Sequence, residues 1–243
     1  MDHLKQELDA LLDSAPNAAA VRSRLDDLVS VYPFNEFEYI IAHLLGADVL
    51  NLDEYQRLRD EYVSRNLFLY IFEISSPRGF GESWAQGHLK ELVPELEKPT
   101  KKIDKDYQGQ YDFLLDGRIR IEVKASRAVD SDTDAPLYVK ALSSDSDKPF
   151  WMNFQQIKPG CCEVFVWVAV WRDVIRYWVL TSQEIASHPA YSQGQHRGNV
   201  GEGQLHVRHD NIEQFKQFEA KSNRLGDAIR SAWVRQTGGR RPG

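Results

Sequence analysis

Apolar residues recur at helical spacing through the first third of the chain, then give way to shorter, strand-like runs. Leu4, Leu8, Leu11 and Leu12, then Val21, Leu25, Leu28 and Val29, fall at steps of three and four, which predicts helices over 3–13 and 17–31. Ser14 to Asn17 punctuates them, and Pro33 opens a third helical stretch through Leu45. A longer helix is expected over 52–74, carrying Leu58, Tyr62, Leu67, Leu69 and Ile71, with Pro77 and Gly79 to Gly81 as its breaker. Residues 1–76 therefore read as a helical N-terminal lobe with a structural or dimer-forming role. Residues 77–243 are left as the core.

Within that core the pattern predicts a helix over 82–97, with Glu82, Ala85, Leu89, Leu92 and Leu96 in one line. Residues 111–126 follow as an apolar strand, a turn and a second strand, in which Ile119, Ile121, Val123 and Ala125 alternate with polar residues. Residues 163–185 predict two apolar strands around an Arg172–Asp173 turn and then a helix start. Asp210 is expected to cap a final helix to about Val234, with Ile212, Phe215, Phe218, Leu225 and Ile229 on its apolar line. The acidic and serine-rich runs within 130–147 read as exposed loops.

The chemistry is concentrated in the 111–126 strand pair. Alternation puts Glu122 and Lys124 on one face, with Val123 on the other. A hairpin brings Asp112 to the same end as Glu122. Two carboxylates and an ammonium on one edge make a hard-metal site with a cation beside it. Charges on a strand this apolar are rarely tolerated without a role, which weighs against a merely solvated face.

The spacing Asp112, nine residues, Glu122-x-Lys124 resembles the PD-(D/E)XK nuclease superfamily, which includes restriction endonucleases and several repair nucleases. Tyr111 stands where many members have proline. The resemblance runs over roughly residues 78–187. It implies a restriction-endonuclease-like α/β core with a mixed central sheet flanked by helices, and a metal held by Asp112 and Glu122. It further implies that Lys124 orients or deprotonates the attacking water, and that an acid or histidine from the preceding helix stands beside the metal. Glu82 is the first candidate for that position, with Glu91 as its substitute. His88 reads as a partly buried packing residue. Oxygen ligands select Mg2+, with Mn2+ as a possible substitute. The expected function is a divalent-metal-dependent DNA endonuclease of type II restriction character. A structure-specific or repair nuclease and a non-catalytic DNA-binding protein that kept the fold are the alternatives.

DNA as partner needs basic or base-reading surface. The net charge is -6, but residues 1–70 hold 6 Lys/Arg against 13 Asp/Glu, and residues 194–243 hold 9 against 5. The acidic excess is thus mostly N-terminal. Lys98, Lys101, Lys102 and Lys105 form a cluster before the first strand that suits backbone phosphates. Between 191 and 209, glycines are mixed with Gln195, His196, Arg197 and Asn199, side chains suited to a loop entering a groove of double-stranded DNA. An exposed hairpin loop is the competing reading. Asn153, Gln155 and Gln156 are secondary candidates for base contact. Cys161 and Cys162, adjacent and without other cysteines, read as reduced thiols of a cytoplasmic protein. No run of eighteen apolar residues predicts a membrane span.

Overall fold

In a computed structural model, residues 44–194 and 200–238 are described, with Asp13, Ser14, Pro16, Ala18 to Ala20 and Ser23. The helices expected over 3–13, 17–31 and 33–45 therefore lie largely outside the described residues. The chain divides into two compact units, residues 1–65 and 66–243. The first unit contains helix α1, Leu52–Arg65. Asn51 starts it with a reciprocal cap: its Oδ1 accepts from the Glu54 N–H, and its own N–H donates to Glu54 Oε2, both at 2.9 Å.

The division falls earlier than the boundary expected at 76. The helix ends at Arg65, and Leu69–Glu73 forms a separate 3-10 turn. The run from Leu67 to Phe72 is continuously apolar, without the three–four spacing a half-exposed helix needs. Leu69, Ile71 and Phe72 are buried in the core of the second unit. Arg127 holds this segment from the sheet: its Nη1 donates to Ile71 O at 3.1 Å and Ile74 O at 2.8 Å, and its guanidinium lies 4.2 Å from the Phe80 ring centre. Burial lowers the Arg127 pKa to about 10.

The second unit is mixed α/β. Its main sheet takes β1 (Phe113–Leu115), β2 (Ile119–Arg127), β5 (Val164–Val170), β6 (Ile175–Thr181) and β9 (Glu219–Ala220), in the order β1-β2-β5-β6-β9. The β2–β5 pair is parallel and the others are antiparallel. The expected strand–turn–strand units over 111–126 and 163–181 are both present. The three-residue loop between Leu115 and Ile119 turns on Asp116 and Gly117, at φ 54° and 65°, and is closed by the Arg118 N–H donating to Leu115 O at 3.2 Å. After β6, helix α3 (Ser182–Ala186) begins on a capping box between Thr181 and Glu184. The expected final helix is interrupted. Ile212–Phe218 is a 3-10 helix, β9 then pairs with β6, and the α-helix α4 runs only over Leu225–Thr237. Phe215 and Leu225 still reach the interior, but into different core clusters.

A second, antiparallel sheet was not expected. It has the order β3 (Val129–Asp130), β4 (Phe150–Ile157), β8 (Gly203–Arg208), β7 (Tyr191–Gln193). The main sheet is consequently covered on both faces. Ile119, Ile121 and Val123, with Val164, Val166 and Val168 beside them, face a cluster that includes Leu89 and Ile229 from the helices. Phe165, Trp167 and Ala169 face Phe150, Met152, Phe154, Leu205 and Val207 of the second sheet. Among the described residues, no helix is long and apolar enough to cross a membrane. Cys161 and Cys162 are free thiols.

Candidate functional site

Strand parity sets the site. In β2, Ile119, Ile121 and Val123 turn to the helices, so Arg120, Glu122, Lys124 and Ser126 lie on the opposite face. Register places Glu122 beside Phe165 and Lys124 beside Trp167, on the face that the second sheet covers further along. That cover reaches β2 at Ser126, whose hydroxyl donates to Asn153 O at 3.2 Å. Glu122 and Lys124 stand just short of it. Their side chains are only 15% and 13% exposed and pair at 2.7 Å.

Asp112 enters from the residue before β1. Its N–H donates to Ile121 O at 2.9 Å, continuing the hairpin ladder. Its Oδ2 accepts from the Val123 N–H at 2.8 Å, and its Oδ1 accepts from Gln86 Nε2 at 2.6 Å. The β1–β2 register, carried one residue beyond the Phe113–Ile121 pair, sets Asp112 opposite Glu122, so the two acids form one buried pair. Burial is the main cause that raises the pKa of both. Lys124 opposes the rise at each, and the Val123 N–H opposes it at Asp112. The neighbouring Asp112 carboxylate raises Glu122 further, and the Glu122 pKa is pushed up to about 7. The pKa of the Tyr107 hydroxyl is raised by burial and by both carboxylates.

The helix before the hairpin contributes a residue that type alone did not single out. Gly79–Ala85 is π-helical, and Gln86–Leu92 forms helix α2. The Gln86 N–H bonds back five residues to Gly81 O. That wider turn rotates the first residues off the expected line. Glu82 is consequently 65% exposed at its side chain and pairs with Arg78 at 3.6 Å, not with the buried acids. Glu91 is also exposed. Gln86 takes the place next to Asp112. It lies four residues after Glu82, and that one-turn spacing was the available signal. His88 packs as expected. It stacks with Trp84, and its Nε2 meets the Tyr177 hydroxyl at 2.6 Å. Burial lowers its pKa.

Among the described residues, no group of three or more His, Cys, Asp or Glu side chains is arranged to hold a metal. A cation here would have two carboxylates and would take its remaining ligands from water or substrate. That donor set fits Mg2+, which keeps several waters and is bound through one or two carboxylates.

The other sequence candidates lie elsewhere. Gln195, His196, Arg197 and Asn199 fall outside the described residues, between β7 and β8, which pair as a hairpin. Gly203, opposite Gln193 in that hairpin, has the Tyr191 ring across it: a Cβ there would meet the Tyr191 hydroxyl oxygen at 2.3 Å. Gln155 and Gln156 are exposed at an irregularity in β4, with Gln156 at φ 56°. Asn153 Oδ1 is buried without a partner among the described residues. No model of a known protein family matches the chain, and no curated protein matches it significantly.

Proposed function

We propose that this chain is a divalent-metal-dependent DNA endonuclease with a restriction-endonuclease-like core. The observation that carries the proposal is the joining of Asp112 and Glu122 in one buried pair with Lys124 against Glu122. Burying two like charges is costly, and a single lysine does not offset both. A divalent cation does, and a metal role for the pair accounts for that arrangement. Asp112 and Glu122 would hold Mg2+, or Mn2+ in its place. Such an ion supplies charge neutralisation at a phosphodiester.

The chain's own groups supply the rest. Lys124, held as an ammonium by Glu122, orients the attacking water and favours loss of its proton to solvent, and its charge favours the extra negative charge on the phosphorus centre. The Val123 N–H and Gln86 fix the Asp112 carboxylate in one orientation. Double-stranded DNA is the proposed substrate, with sequence read by the segment Gln195 to Asn199, as in a type II restriction enzyme working as a homodimer.

Incubation with a plasmid of known sequence and Mg2+ tests the reading. Discrete bands are expected, with no cutting in excess chelator and recovery on adding Mg2+. A smear, or cutting confined to branched or nicked substrates, would identify a repair-type nuclease. Full cutting in chelator would overturn the metal chemistry, and no cutting with any divalent ion would overturn the enzyme.

A further inference from the structure

The loop before β1 holds four lysines, and one of them is built into the site. Glu97 pairs with Leu114 of β1 through two backbone bonds of 2.8 Å, so the chain entering Lys98 is fixed against the hairpin. The Lys98 ammonium then lies 4.1 Å from the Phe113 ring centre and donates to Gln86 Oε1. Gln86 can sit only one way round. Lysine only donates and a carboxylate only accepts, so the Gln86 oxygen must face Lys98 and its nitrogen Asp112. Lys101, Lys102 and Lys105 are exposed, and none makes a bond among the described residues.

We propose that Lys98 is a phosphate-binding residue of this site, held at its rim by Gln86 and the Phe113 ring. The inference rests on the nuclease reading above. An ammonium has three N–H donors, of which Gln86 occupies one. The Lys98 side chain is exposed, so the remaining donors are open to a ligand. A lysine serving only to balance Asp112 would bond to it directly. Here a neutral amide separates the two, which keeps the cation near the acids while leaving it free to meet a second anion. The anion that suits a point cation at this position is a backbone phosphate of the bound strand, next to the one cut. Lys124 serves the reacting phosphate, Lys98 serves binding, and Gln86 is a positioning residue.

Duplex binding in chelator against salt concentration, and plasmid cleavage in Mg2+, are to be compared for wild type, Lys98→Gln and Lys98→Arg. Loss of one phosphate contact reduces the salt slope by about one and weakens binding roughly tenfold at about 0.1 M salt. Lys98→Gln is expected to do this and to raise KM more than it lowers kcat, and Lys98→Arg to restore both. A wild type that cuts while Lys98→Gln keeps its slope and KM would overturn this inference alone. A wild type that binds with a Lys98-dependent slope but never cuts would overturn the nuclease reading and leave Lys98 a phosphate contact. Absence of both binding and cutting would overturn both.

Discussion

Asp112, Glu122 and Lys124 answer to different forces although they share one site. Asp112 is held by bonds to both oxygens, from Val123 and Gln86, so its position does not depend on a metal. Asp112→Asn keeps the shape but replaces one acceptor oxygen by a donor facing a donor. Lys124→Ala leaves Glu122 buried without its cation. Each is expected to reduce cleavage by roughly a hundredfold or more, with circular dichroism and duplex binding close to wild type. Normal cleavage by Asp112→Asn would remove it from the site. Glu122 carries the pH dependence. In the unfolded chain its carboxyl titrates near 4.5, and in the fold burial moves it to about 7. The folded state therefore keeps a proton that the unfolded chain has already lost. The stabilisation this gives is full below 4.5 and is lost as pH rises through about 7. Mg2+ has to displace the same proton, so its apparent affinity should rise about tenfold per pH unit up to that point and level off above it. Metal titrations across this range check the prediction, and Glu122→Gln should abolish the dependence along with tight binding.

At the scale of elements, the β1–β2 hairpin is the part on which the site depends most. Its turn has Asp116 and Gly117 in the left-handed region, and Asp116 is braced by two 2.9 Å bonds from Arg230 of α4. A Cβ at Gly117 would meet nothing within 4 Å. The cost of a side chain there is therefore conformational alone. Gly117→Val should destabilise by about 1–2 kcal/mol, seen as a lowered denaturation midpoint with unchanged slope. An unaltered midpoint would mean that the turn adopts another conformation. Backbone conformation also accounts for the departure of the helix before the hairpin from its expected line. Glycines at 79 and 81 weaken a regular helical start, and the wider turn that forms moves Glu82 outward and leaves Gln86 at Asp112.

For the whole molecule, the decisive fact is that the main sheet is packed on both faces. The segment from Leu69 to Phe72 belongs to one of those cores, although the preceding helix was expected to run on through it. A fragment of residues 66–243 is therefore expected to unfold cooperatively and to retain Mg2+-dependent cleavage. A fragment of residues 77–243 would lose Leu69, Ile71 and Phe72 and the carbonyls that Arg127 holds, each a loss of about 2–5 kcal/mol for a large buried side chain. It should be unfolded or molten by near-UV circular dichroism. Equal stability of the two fragments would place the boundary back near 76.

Local rules determined much of this protein. Alternation in β2 set Glu122 and Lys124 on one face, a turn was legible between β1 and β2, and the apolar runs of β5 and β6 announced two strands around a turn. These are properties of neighbours in the chain, so the spacing of residues was enough to read them. The second sheet, the break in the C-terminal helix and the partners of Asp112 were not legible in that way. β4 meets β8 across about fifty residues, β9 is drawn into extension by pairing with β6, and Gln86 reaches Asp112 from 26 residues away. Such contacts are selected by the burial of whole faces, and a periodic pattern contains no record of which distant segment will supply the other face.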